Sequence, residues 1–221
     1  AAENTTSSVV SETTSAAADE NEAAAAQLLN DLTGSYQELW PVILADEYKQ
    51  TWLDDCTALV GEENAEAAFE KLSSMVTSDV YGEDAVEAYA NGGGAYFCGF
   101  TNSLATLTFD GETSTISGTD KDGNVLFSHT YHYIGMEPVH GLYEFESDDA
   151  DSGEFTYFFL APDTSAETYH IEFRYGSDAE ALSQYDAGEY AYWLASGIST
   201  DCDQTMIDNC IELFCTENLA G

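Results

Sequence analysis

The chain has 221 residues, and its 42 acidic side chains against 4 basic ones give a formal net charge of −38. So few cations cannot neutralise a run of phosphates, which excludes a nucleic-acid partner, and an anionic membrane surface repels such a protein. Hydrophobic residues at 44% and aromatics at 13% suffice for a buried core and rule out global disorder, while no stretch approaches the roughly 18 apolar residues of a bilayer-spanning helix.

Residues 1–26 are Ala, Ser, Thr, Glu and Asn with little else, a composition that reads as a flexible linker ahead of one globular domain at 27–221. Ala17 to Leu29 can form a helix at low cost, because Ala and Glu are good helix formers. The stretch has neither an initiator Met nor a basic n-region, so a signal segment is expected to be missing from this chain. A linker of this kind fits a bacterial lipoprotein, secreted or held at the cell surface by a lipid-bearing cysteine that precedes it. Extreme acidity with scarce Lys also fits salt adaptation, where carboxylates hold water rather than a ligand.

From Leu29 to about Lys71 the pattern is helical. Ala65, Ala68, Phe69, Leu72 and Met75 repeat at amphipathic spacing, and Tyr81 to Tyr89 gives another short helix. Asn91 to Gly94 breaks the pattern, and the period then changes to two. Strands are predicted at Ala95–Thr101, Leu104–Phe109, Ser114–Gly118, Val125–Ile134, Leu142–Ser147, Glu154–Leu160 and Thr168–Tyr175. The turn signals Asp110-Gly111 and Asp122-Gly123 and the run Asp148 to Gly153 separate them. Sequential strands on short turns imply an antiparallel meander closing into a β-barrel. Helices return at Asp178–Gln184, around Ala187–Ala195, and over Asp203–Asn218. There Met206, Ile207, Cys210, Leu213 and Phe214 should face the barrel wall. The fold class is mainly β, a barrel flanked by N- and C-terminal helices.

All four histidines, His129, His132, His140 and His170, fall in the strand region. Period two puts His170 and Glu172 on one face of a strand, and imidazole plus carboxylate can supply two ligands of a zinc-type site. A hydrogen-bonded pair without metal is the plain alternative. His129 and His132 are three apart and face opposite ways, so they cannot share an ion. His140 lies in a turn and can swing toward a barrel mouth. No nucleophile elbow, Cys/His signature or phosphate-cradling glycine loop is present. Asp120 to Asn124 reads as a hairpin turn, since the bidentate Glu of a calcium loop is missing. An enzyme, resting on acid pairs alone, is not expected. Cys56, Cys98, Cys202, Cys210 and Cys215 match neither a zinc ribbon nor a C-x-x-C pair, and both buried thiols and one or two disulfides are compatible with the spacing.

Several segments together resemble the ZinT (YodA) family of zinc-binding proteins. Leu29 to Pro41 (LNDLTGSYQELWP) is similar to the family's opening, L-x-D-W-x-G-x-W-Q-S-V-Y-P. Gly141 to Glu146 (GLYEFE) and Phe155 to Pro162 (FTYFFLAP) are similar to its Y-L-F-E strand and its strand ending in A-P. His170 to Asp178 (HIEFRYGSD) is similar to H-F-H-I-F-x-G-x-D, and Tyr190 to Trp193 stands where the family has W-P-T-Y-Y-P. The resemblance implies a lipocalin-like calycin barrel. It also implies an extracytoplasmic protein that captures Zn²⁺, or a similar divalent cation, for a high-affinity uptake system, with the binding component of a zinc ABC transporter as partner. The family's ligands are three histidines. His170 matches the first of its H-x-H, Glu172 the second, and Phe158, which cannot ligate, falls where the third stands. Either the site is rebuilt, with His140 or Glu144 as the candidate substitute donor, or the fold is kept and the metal lost. The alternative is a lipocalin-like module for a small organic molecule, its cavity lined by Tyr131, Tyr133, Tyr157 and Phe159.

Overall fold

The computed structural model describes residues 20–76 and 79–220; the greater part of the expected linker lies outside them. A helix, α1, covers residues 20–31, and Ala25, Leu28 and Leu29 on one side of it are buried with the barrel core. Strand β1 (Gly34–Glu38) follows, then α2 (Leu39–Ile43), a 3₁₀ turn, α3 (Lys49–Val60), α4 (Glu62–Ser74) and α5 (Glu83–Ala90). The strands β2 (Thr106–Asp110), β3 (Thr115–Thr119), β4 (Val125–Met136), β5 (Tyr143–Ser147), β6 (Tyr157–Leu160) and β7 (His170–Gly176) run consecutively. The short α6 (Ala179–Leu182), β8 (Ala195–Ser199) and α7 (Gln204–Leu219) complete the chain. Every strand pairs antiparallel with the next, and β1 pairs with β8 (Gln37 opposite Ile198), so the sheet closes into an eight-stranded barrel. Closure removes the sheet edges that would otherwise invite pairing with another chain.

Two strands of the barrel are not among those predicted. β1 lies in the stretch read as helical, and β8 begins where a helix around Ala187–Ala195 was expected; residues 187–194 are turns ending in a single bridge. Conversely, Ala95–Thr101 forms no ladder. It contributes one parallel bridge, Phe97 to Trp193, and runs as a strap whose Phe100 packs on Phe173 and whose Thr101 meets the Tyr175 hydroxyl. The Glu154–Leu160 strand begins later than expected, after a 3₁₀ turn at Gly153–Phe155.

The lumen is solid. Leu107, Phe109, Ile116, Phe127, Tyr131, Phe145, Phe158, Phe173 and Tyr175 all project inward and are buried. Phe158 sits among Phe127, Tyr131, Phe173 and Tyr175, with ring centroids 5.3–6.4 Å away. Small inner-face residues make room for these rings: a Cβ on Gly118 would collide with Leu104 and Phe127, and Gly197 lies against Ile171. A hollow lined by Tyr131, Tyr133, Tyr157 and Phe159 is therefore not what the barrel contains. Tyr131 helps fill it, while Phe159 and Tyr157 pair across strands with Arg174 and Glu146 on the outer face.

A second apolar cluster joins the helices to the outside of the barrel. Trp52, Leu39, Ile43, Cys56, Cys210, Ile211, Phe214, Cys215 and Ile198 of β8 are all buried in it. Asp203 caps α7, its carboxylate accepting from the Met206 N–H at 3.0 Å. The buried stripe of α7 is Ile207, Cys210, Ile211, Phe214 and Cys215, rotated from the predicted one because α3 and α4 cover its flank, leaving Met206 and Leu213 partly exposed.

Candidate metal site

Strand β7 sets the site. Its inward residues are Ile171, Phe173 and Tyr175, so alternation turns His170, Glu172 and Arg174 outward. His170 and Arg174 do not meet solvent directly, whereas Glu172 is half-buried. His170 is only 5% exposed, lying under α7 with its ring 5.7 Å from that of Phe214. Arg174 is fully buried: its guanidinium donates to the carbonyls of Leu182, Gln184 and Tyr190 and stacks on Tyr185, tying the 182–190 segment to the wall. The pair is thus held on one face, as expected, but on the covered outer wall rather than in a barrel mouth.

His170 and Glu172 share a cleft of about 540 Å³ between β7, the 163–168 loop and α7. Asp163 and Glu167 come from the loop, Glu212 and Glu217 from α7. His170 Nδ1 lies 2.8 Å from Thr168 Oγ1, which fixes the ring and leaves Nε2 as the nitrogen not engaged by the threonine. Burial pushes the imidazole pKa down, opposed by the Asp163 charge, so the ring favours its neutral, ligating form. Burial, reinforced by Asp163 and then Glu217, raises the Glu172 carboxyl to about 7. Glu172 also borders two further cavities. One, of about 540 Å³, is lined mainly by Trp40, Trp52, Leu72, Tyr96 and Phe214; the other, of about 330 Å³, contains His140, Asp163 and Tyr185.

The substitute donors are placed apart. His140 is exposed, its ring 3.8 Å from that of Tyr185, and it reaches Glu172 only through the smaller cavity. Glu144 lies on the outer face of β5 opposite Phe159 and does not line the His170 cleft. Phe158 pairs with Tyr175 in the lumen, on the face opposite His170 and Glu172, so a histidine there could not join them. His129 and His132 do face opposite ways, each bound to its own carboxylate, Asp149 and Asp148, at 2.7 Å. Among the described residues no three His, Cys, Asp or Glu side chains are gathered closely enough to hold a metal. Sequence reasoning missed Thr168, Asp163 and Glu217. Thr168 stands two residues before His170, a spacing that could have flagged it; the other two reach the cleft through loop and helix placement.

No protein-family model matches the sequence, and no curated protein matches it. Among solved structures, the chain is similar to the Zn(II)-bound ZinT-like domain of Streptococcus pneumoniae AdcA, with a TM-score of 0.50 at 15% identity over 81% of this chain and 87% of that one. Zn(II)-bound AdcA from the same organism gives a TM-score of 0.47 at 15% identity, over 87% of this chain and 35% of that longer one. The fold of this chain is that of the ZinT-like domain, a closed lipocalin-like barrel with flanking helices.

Proposed function

We propose that the protein binds a divalent cation, zinc first, in the cleft between β7 and α7. The observation that carries this reading is the pair itself, a buried imidazole and a half-buried carboxyl group. A neutral imidazole with one nitrogen held by Thr168 stands beside a carboxyl group that is uncomfortable when ionised. A dication relieves both, accepting the imidazole lone pair and replacing the proton on Glu172. Asp163 and Glu217 are the nearest further carboxylates by their effect on Glu172. Both are exposed, so closing them onto the ion costs side-chain freedom rather than core packing. Imidazole favours zinc over calcium, and the net charge of −38 raises the local cation concentration. The Zn(II)-bound state of the structural neighbour makes zinc the first ion to test.

In this reading the protein is a carrier and not an enzyme. It works outside the cytoplasm, tethered through the Ala/Ser/Thr-rich N-terminal stretch, and passes its ion to an uptake system. The experiment is calorimetric titration of Zn²⁺ at moderate salt into wild type and His170→Ala. Loss of tight binding in the variant is expected, with Ca²⁺ binding weakly to both. Equal zinc affinity in the two proteins would refute the site. A second reading is favoured by the apolar cavity lined by Trp40 and Trp52: a small organic ligand would bind there rather than in the lumen, and would quench tryptophan fluorescence.

A further inference from the structure

Five cysteines are present, and all five are free thiols. Cys98, Cys202 and Cys210 make no thiol contact with one another, although Cys202 lies near enough to Cys210 for its charge to push that thiol's pKa up. Cys56 of α3 and Cys215 of α7 are different: their sulfurs lie 3.9 Å apart, both side chains are fully buried, and 159 positions of sequence separate them. Among the described residues no other two cysteines are in contact. The two helices pack along each other here, with Trp52 and Phe69 on one side and Ile211 and Phe214 on the other.

We infer that Cys56 and Cys215 are a modification site, joined as a disulfide when the chain folds in the presence of a low-molecular-weight disulfide. Closing 3.9 Å to the roughly 2 Å of an S–S bond needs rotation about the Cα–Cβ bonds and a small helix shift, not a change of fold. The chemistry is two successive exchanges. One cysteine thiolate attacks the external disulfide and expels a thiolate. The second cysteine then attacks the mixed disulfide and expels the other thiolate. The protein loses two protons and two electrons, and the external disulfide leaves as two thiols.

The surroundings decide when this happens. In the folded protein both thiols are sealed from solvent, so no oxidant or reductant reaches them. The first exchange takes place while α7 is still undocked and the thiols are open; docking then brings the second thiol to the mixed disulfide and encloses the bond. It is therefore a structural cross-link, installed once, and not a switch. It binds the last helix to the helical layer across a very long loop, the case in which a cross-link removes most freedom from the unfolded chain. Nothing in this inference depends on metal binding at His170.

The test is refolding of the reduced, full-length protein in an oxidised/reduced glutathione buffer, followed by thiol counting in denaturant and non-reducing peptide mapping. Three titratable thiols and a Cys56–Cys215 peptide pair are expected. Protein reduced in denaturant and refolded with the reductant kept present should melt roughly 10 °C below the oxidised form, in wild type and in Cys202→Ser alike. Five thiols after refolding, or a pairing that involves Cys98, Cys202 or Cys210, would overturn the inference. Cys215→Ser, refolded in the same buffer, should show no Cys56 disulfide and no difference in Tm between oxidised and reduced forms; should it fail to fold, the mapping of wild type and Cys202→Ser still decides the matter.

Discussion

Replacing Glu172 with glutamine keeps the shape of the side chain and removes its charge. Burial, then the charges of Asp163 and Glu217, lift this carboxyl from 4.5 to about 7. At ~1.4 kcal/mol per pH unit, keeping it ionised costs the folded state about 3 kcal/mol once the solution is well above neutrality. Between 4.5 and about 7 the folded protein retains a proton that the unfolded chain has already released, so stability falls as pH rises through that window. Below it both states are protonated and the difference vanishes. The assay is urea unfolding of wild type and Glu172→Gln in chelator, from about pH 4 to about pH 8.5, reading the difference between the two proteins so that all other carboxylates cancel. The curves should meet at the acid end and separate until the variant is more stable by about 2–3 kcal/mol. Curves that stay parallel over the whole range would mean that Glu172 is not strained when charged, and the argument for a cation at this place would lose its electrostatic basis.

Other substitutions test other parts of the structure. Arg174→Met removes the donors that hold the carbonyls of Leu182, Gln184 and Tyr190; it should cost about 3 kcal/mol by thermal unfolding and make the 182–190 segment sensitive to protease. Gly111→Ala places a Cβ 2.5 Å from the Asn30 Cα, pushing α1 off the β2–β3 turn; a loss of about 1–3 kcal/mol is expected in urea titration. Phe158→His, which restores the histidine of the resembled family at that position, should not tighten zinc binding by calorimetry, because the ring stays in the lumen, and should destabilise by about 2–4 kcal/mol.

The barrel was legible where large apolar side chains alternate with polar ones. Phe127 and Tyr131 in β4, and Ile171, Phe173 and Tyr175 in β7, announce strands with one buried face. β8 was hidden because its inward residues are Ala195 and Gly197, chosen for what they leave empty rather than for what they bury. β1 was hidden because Gly34–Glu38 passes straight into α2, with no turn residues to mark the change of period. The 95–101 strap has strand-like composition, yet the barrel edge it would have joined is already closed by β1 and β8. For the site, alternation puts His170 and Glu172 on one face of β7, and the structure keeps them there. The same alternation also carried the information that was not used: the bulky set Ile171, Phe173 and Tyr175 claims the interior, so the polar set must look outward. The contributions of Asp163 and Glu217 depend on where a loop and a helix come to rest, and local pattern does not encode that.

A tube packed ring against ring along its axis is a stiff body with low compressibility, and the wall at β7 works as an anvil. Whatever enters the cleft between that wall and α7 meets a backing that does not yield, so the adjustment falls to the exposed Asp163 and Glu217 at its rim. Opening and closing of that rim is then a matter of exposed side-chain rotamers, and neither the strands nor the helix need part.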